Sequence, residues 1–370
     1  MSKTVLSLCM KKNIGLFLLF VVIFGCGQIN AGFAMGTAPQ KKVNLPTTPT
    51  TLATPATSEE WSTLVSETNA LPKTIMIGSW DPTYWIGASS PGRSNDFKKW
   101  GLNLKTAHPE FFTTISAEGI LVKPGYQDNY HRGAYSIDYP ELLRVIKELS
   151  KDNLLPTVGL FIHNFESVNE IQFEKFFAKL NADLVKNKIP KVVLIPAWDI
   201  QGEWTAWQNG ATRNCYIDPV VFNRQMPKMR YARNRINAKN IVLGVSLAAG
   251  FDIKTHNKQG KSGIDYLEGI KACDIIGINA YPSKAIGPKA AFDDAKKLWV
   301  AAGSNKPFAF FEYSIDTNAL VKNKPVEWTS ADKINFIKTT YALLKEYPFV
   351  KQIDWWFIGK GPGARLRIDQ

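Results

Sequence analysis

Two carboxylates stand where buried apolar runs give out. In Lys191 to Gln208, KVVLIPAWDIQGEWTAWQ, the aliphatic residues Val192, Val193, Leu194 and Ile195 run without polar alternation, the pattern of a parallel strand buried on both faces. Directly after them come Trp198, Asp199, Gln201, Gly202, Glu203, Trp204 and Trp207. Further along, KPFAFFEYS repeats the arrangement, with Glu312 closing an aromatic run. A carboxyl among aromatic side chains at the end of a buried parallel strand lies where α/β barrels keep their chemistry, and indole faces suit stacking on the apolar face of a sugar ring. Two carboxyls facing one cavity can divide proton donation from nucleophilic or base attack, which is what cleavage of a glycosidic bond requires. Asp199 and Glu312 are the expected catalytic pair.

Other residues at strand ends can serve such a site. Trp80, Trp204, Trp207, Trp355 and Trp356 are candidate stacking platforms. Each alone reads equally well as a core or rim residue; five at strand ends carry more weight. Tyr281 is placed to hydrogen-bond Glu312 and hold it ionised, although a tyrosine satisfied by backbone is as common. His163 is a candidate ligand for a sugar hydroxyl, against the plainer reading of a satisfied loop histidine.

The elements that must position these residues form a strand-then-helix rhythm. Strands are expected at Thr74 to Ser79, Gly119 to Lys123, Pro156 to Ile162, Val192 to Ile195, Ile241 to Leu247, Asp274 to Ile278, Phe308 to Phe311 and Val350 to Phe357. Helical spacing appears in Leu142, Leu143, Ile146 and Leu149, and most clearly in Phe173, Phe176, Phe177, Leu180 and Leu184. A helix carrying Met226, Met229 and Tyr231 precedes the fifth strand, and one with Ile334, Ile337, Tyr341 and Leu344 precedes the last, opened by Thr329 and Asp332 as a capping box. Eight strands alternating with helices favour a single-domain (β/α)8 barrel of the α/β class over a doubly wound sheet. Asp199 and Glu312 then leave the fourth and seventh strands at the same end.

Composition limits the rest. The chain has 370 residues, 45% of them hydrophobic, enough for one barrel with appendages. Its formal charge is +13; removing Lys3, Lys11 and Lys12 with a leader leaves 13 − 3 = +10. The lysines are scattered, so a solvated basic surface is favoured over an anionic partner, and no basic stripe with interleaved aromatics points to nucleic acid. Nucleotide-binding and zinc patterns are absent, so no cofactor or metal is expected. Nothing requires more than a monomer.

Residues 1–25 read as a leader. Lys11 and Lys12 precede an apolar run, Ile14 through Phe24, of signal-peptide length and short for a membrane span. Ile23-Phe24-Gly25-Cys26 resembles the bacterial lipobox, which implies lipidation of Cys26 and a membrane association through that anchor alone. Cleavage after Ala31 or Ala34, releasing a secreted protein, is the alternative. Gly27 leaves nothing to argue for inner-membrane retention, so an outer-membrane or cell-surface lipoprotein is expected. Residues 26–58, rich in Thr, Pro and Ala, read as an extended tether, and residues 59–370 as the barrel, with a short helix near Glu59 to Ala70. Cys215 and Cys273 fall at opposite ends of the barrel, too far apart for a disulfide, and read as structural.

The run WDIQGEWTAW resembles the fourth-strand signature of family 26 glycoside hydrolases, the β-mannanase family, in which a His-Glu pair is followed by one residue, then Asn-Gly, then tryptophans at the same spacing. Glu312 in KPFAFFEYS is similar to that family's seventh-strand nucleophile, DIIGINAY to its sixth strand with the tyrosine at Tyr281, and the terminal ARLRID also matches. The resemblance implies a glycosidase acting on a β-linked polysaccharide, with Glu312 as nucleophile. One departure stands out: the family's His-Glu is Trp198-Asp199 here, and its Asn is Gln201. Retaining enzymes hold their carboxyls about 5 to 5.5 Å apart, and an aspartate retracts its group by roughly 1.5 Å. Three outcomes stay open: Asp199 is repositioned and acts as acid, the enzyme inverts, or the barrel binds glycan without cutting it. Glu203 offers a longer carboxylate nearby, at a variable position of the motif.

Overall fold

The computed structural model describes residues 58–80, 104–124, 136–201, 216–248, 261–315, 320–321, 324–325 and 328–355. Eight staves close into a parallel ring. In order they are β1 (Met76–Trp80), a stave made of two segments, β2 (Thr106–His108) and β3 (Glu110–Ile115), then β5 (Leu155–Ile162), β6 (Val192–Ile195), β7 (Ile241–Leu247), β8 (Ile275–Ala280), β9 (Phe308–Tyr313) and β12 (Val350–Trp355), which pairs back onto β1; β10 (Leu320–Val321) and β11 (Lys324–Pro325) form a separate antiparallel pair. The fold is a (β/α)8 barrel. Between or before the staves lie α1 (Ser58–Asn69), α2 (Tyr139–Lys151), α3 (Glu170–Lys186), α4 (Pro219–Arg235), α5 (Leu267–Ala272), α6 (Pro288–Ala301) and α7 (Ser330–Glu346).

The second stave corrects the expectation from sequence. Gly119 to Lys123 is not a barrel strand: its core, β4 (Leu121–Val122), pairs antiparallel with β3 as a short hairpin arm. The stave itself lies earlier, in a stretch whose Thr106, His108, Glu110 and Thr113 are all buried. Those side chains break the apolar run that marks a buried strand. Pro109 interrupts it again: lacking an N–H it splits the stave into β2 and β3, while its carbonyl still accepts from the Gly159 amide at 2.9 Å. Gly119 makes the hairpin turn at φ +73, and a Cβ there would stand 2.6 Å from the Gln172 carbonyl oxygen.

Helix starts follow the local sequence. Thr329 and Asp332 form the expected reciprocal cap at the head of α7, and Asn169 with Gln172 and Asp138 with Glu141 do the same for α3 and α2. The apolar faces of these helices, including Phe173, Phe176, Phe177 and Leu180 of α3, are fully buried against the outside of the ring.

The interior divides in two. An apolar group of Val193, Ile195, Ile275, Ala309 and Phe311 fills one part, with Leu155 and Val242 against it. A polar group fills the other. The Thr106 hydroxyl donates to Asp354 Oδ1, and Gln352 Nε2 donates to Asp354 Oδ2 at 2.7 Å and lies 3.2 Å from Thr157 Oγ1.

Candidate active site

Glu312 owes its direction to an irregularity in β9. Against β8 the register runs Ile278 to Phe310 and then Asn279 to Glu312; against β12 it runs Ile353 to Phe310 and then Trp355 to Tyr313. Both neighbours advance one residue fewer than β9, so β9 carries a bulge next to Glu312. A bulge re-aims the side chains beside it. Phe311 joins the apolar interior, Tyr313 packs outward on Phe336 with ring centroids 5.5 Å apart, and Glu312, 2% exposed, accepts a hydrogen bond at Oε2 from the Tyr281 hydroxyl.

Asp199 is presented by a bend. The chain leaves β6 at Ile195, and Asp199 takes φ +53, a left-handed conformation that aspartate tolerates better than most side chains. The bend is tied to the end of β7 by Ser246, whose carbonyl accepts from the Ile200 amide at 3.4 Å and whose amide reaches the Ala197 carbonyl at 3.5 Å. The Asp199 carboxyl, in a residue 4% exposed, accepts at Oδ1 from Asn279 Nδ2 at 2.6 Å, and the Asn279 Oδ1 accepts from the Ser246 hydroxyl at 2.8 Å. Since the Cα of Asn279 is register-paired with that of Glu312, one asparagine adjoins both acids.

Aromatic rings line the neighbouring wall. The Trp198 ring lies 5.7 Å from Phe112 and 6.5 Å from Phe161, and His163 stacks on Phe112 at 5.5 Å with planes 20° apart. Burial lowers the His163 pKa to about 4, so this half-buried ring is neutral at ordinary pH. Deeper, His108 is fully buried, its pKa is lowered to about 4 by desolvation, and its Nδ1 lies 2.9 Å from the Phe311 carbonyl oxygen. A carbonyl only accepts, so Nδ1 carries the proton and Nε2 is turned toward Glu110 Oε1 at 3.5 Å. Gly159 makes room for this group, because a Cβ there would stand 2.9 Å from Glu110 Cγ and 3.1 Å from His108 Nε2.

Of the residues expected from sequence, Asp199 follows β6, Tyr281 follows β8, Glu312 lies near the end of β9 and His163 follows β5; Tyr281 is bonded to Glu312, and Asp199 to Asn279. Trp355 is a correction. It is 3% exposed and packs against Tyr313, Phe336 and Tyr341, because Asp354 turns inward and strand alternation sends Trp355 out against the helices. It is core, not a platform. Trp80 ends β1. Trp204, Trp207, Trp356, Glu203, Cys215 and Cys26, with the leader and tether, lie outside the described residues. Cys273 is buried with a free thiol whose pKa burial raises to about 12.

Sequence reading missed Ser246, His108, Glu110 and the role of Asn279. For Asn279 a signal existed: in IIGINAY, Gly277, Asn279 and Tyr281 fall on one face at period two. Among the described residues no three or more His, Cys, Asp or Glu side chains gather as a metal site.

No family model matches the sequence, and no curated protein matches it. Among solved structures the chain is similar to mannanases. A mannanase from Bacillus subtilis has 14% identity over 84% of this chain and 90% of its own, with a TM-score of 0.45. A GH26 β-mannanase from Bacteroides ovatus has 14% identity over 81% and 86%, also at 0.45. The GH26 domain of an endo-β-mannanase/endo-β-glucanase from Prevotella bryantii has 11% identity over 82% and 88%, at 0.47.

Proposed function

We propose that this protein hydrolyses β-linked glycosidic bonds in a polysaccharide of the mannan or glucan type, with Glu312 as nucleophile and Asp199 as acid and base. The observation that carries the reading is the position of Asn279, which donates to one acid and stands in register with the other. Two carboxyls that are far apart in sequence are both neighbours of this asparagine, an arrangement that suits displacement at an anomeric carbon. Donation from the Tyr281 hydroxyl stabilises Glu312 as a carboxylate, the form in which it attacks. Asp199 then protonates the departing glycosidic oxygen and afterwards deprotonates the water that releases the sugar. Trp198 and the neutral His163 offer an apolar face and a hydroxyl ligand beside the acids.

A second reading has its own support. Asp199 is buried, shorter by a methylene than the glutamate of the motif it resembles, and already engaged by Asn279, which suits a barrel that binds glycan without cleaving it. Release of reducing ends from a panel of β-linked polysaccharides decides between the two. Turnover by the wild type that vanishes in Glu312→Gln and falls about 10²- to 10⁴-fold in Asp199→Asn supports hydrolysis. Saturable binding with no reducing ends from any member of the panel supports the second reading.

A further inference from the structure

We propose that Asn279 is a positioning residue for Asp199: anchored by Ser246, its carboxamide donates to Oδ1 of Asp199 and fixes the direction of the carboxyl. The catalytic consequence rests on the hydrolase reading; the hydrogen-bonded placement of the carboxyl does not.

The assignment follows from what each group can donate. The amide NH2 of Asn279 faces Asp199 and its amide oxygen faces Ser246, whose hydroxyl donates, so both ends of the carboxamide are used. At 2.6 Å the contact with Asp199 is shorter than the usual amide bond and falls at the short edge of charge-assisted ones. Ser246 acts twice, since its backbone carbonyl accepts from Ile200, next to Asp199, while its side chain orients the amide. Asp199 has left the strand ladder and sits at φ +53, and this amide fixes the direction of its carboxyl at Oδ1. The same donation stabilises the carboxylate and lowers the proton affinity of Asp199 below that of the same buried site without the amide. Among the described residues, the other titratable groups at this end are Glu312 on β9 with Tyr281 just after β8, His108 and Glu110 on β2 and β3, and His163 just after β5. Both histidines stay neutral above about pH 4, so neither supplies the positive charge that would swamp the effect of the amide.

The test reads Asp199 directly. Aspartate side-chain carboxyls are labelled with carbon-13 in the full-length protein, the Asp199 resonance is assigned by its loss in Asp199→Asn, and its titration is followed in Asn279→Leu, Asn279→Asp and Ser246→Ala. Asn279→Leu should raise the Asp199 midpoint by about one pH unit, as loss of a hydrogen bond to a charged group implies. Ser246→Ala should raise it by less, and Asn279→Asp should replace one step by two coupled ones. Where the wild type turns over substrate, the alkaline limb of kcat/KM should move with the midpoint, a change that mere loosening of the fold would not give. An Asp199 midpoint unmoved in Asn279→Leu and Ser246→Ala overturns the proposal. Should Asn279→Leu fail to fold, the other two variants decide it alone, and a single unchanged step in Asn279→Asp overturns it. Shifted midpoints with no turnover on any polysaccharide would uphold Asn279 as a positioning residue and remove the hydrolase reading.

Discussion

Tyr281 directly follows β8 and Glu312 lies on the adjacent β9, and the hydroxyl of one is spent on the carboxyl of the other. A phenol that donates to a carboxylate favours its ionised form and fixes its direction, so it should matter more to the chemical step than to binding. Tyr281→Phe is expected to lower kcat about tenfold or more while leaving KM within a few-fold, since a hydrogen bond to a charged group is worth roughly 1.5 to 3 kcal/mol. Steady-state kinetics on whichever polysaccharide the wild type cleaves would show this; a KM rise with unchanged kcat would place Tyr281 in binding alone. Glu312 and Tyr281 were legible in the sequence because each follows an unbroken apolar strand. Asn279 was harder to read, since a lone asparagine at a strand end looks like the start of a loop. Only its contacts with Ser246 and Asp199, distant in sequence, give it a role.

At the scale of elements, β9 and β8 depend on each other. The bulge in β9 sends Phe311 across the interior to the space that Gly277 leaves open on β8. A Cβ at Gly277 would overlap the Phe311 ring and stand 2.9 Å from the Val245 carbonyl oxygen. Gly277→Ala should therefore cost about 1 to 3 kcal/mol, the usual range for overpacking a close-packed interior. The loss should be visible as a lower urea midpoint, and the double variant Gly277→Ala/Phe311→Leu should recover part of it. Full additivity of the two single changes would show that the ring and the glycine do not share that space. The strands β5 to β9 were readable because their runs are mostly aliphatic or aromatic. The second stave was hidden for the opposite reason: its inward side chains are Thr106, His108 and Glu110, polar groups of the buried interior, and Pro109 sits among them. A bulge is equally silent in sequence, since FAFFEYS reads the same whether or not an extra residue is present.

Across the whole barrel, polar groups sealed in the interior tie stability to pH in opposing directions. Asp354 is fully buried, and desolvation raises its pKa to about 7 despite the hydrogen bonds from Thr106 and Gln352. Raised above its unfolded value, it contributes stability that is complete below about pH 4 and is lost as pH climbs through 7. His108 is also fully buried but has its pKa lowered to about 4, so its contribution is complete above about pH 6.5 and is lost as pH falls through 4. Both contributions change over the same window, each on the order of a few kcal/mol, and they offset one another. Removing either should expose the other. In Asp354→Asn the melting temperature should climb more steeply from pH 4 to 7 than in the wild type, while in His108→Gln it should fall with pH over that range. The half-buried His163 adds to the His108 side, reduced by its contact with solvent. Thermal denaturation of the three proteins at matched ionic strength reads the differences directly, and subtraction from the wild type removes the surface carboxylates common to all. A slope in Asp354→Asn parallel to that of the wild type would mean that Asp354 keeps one protonation state throughout, and the polar half of the interior would then be held by hydrogen bonding alone.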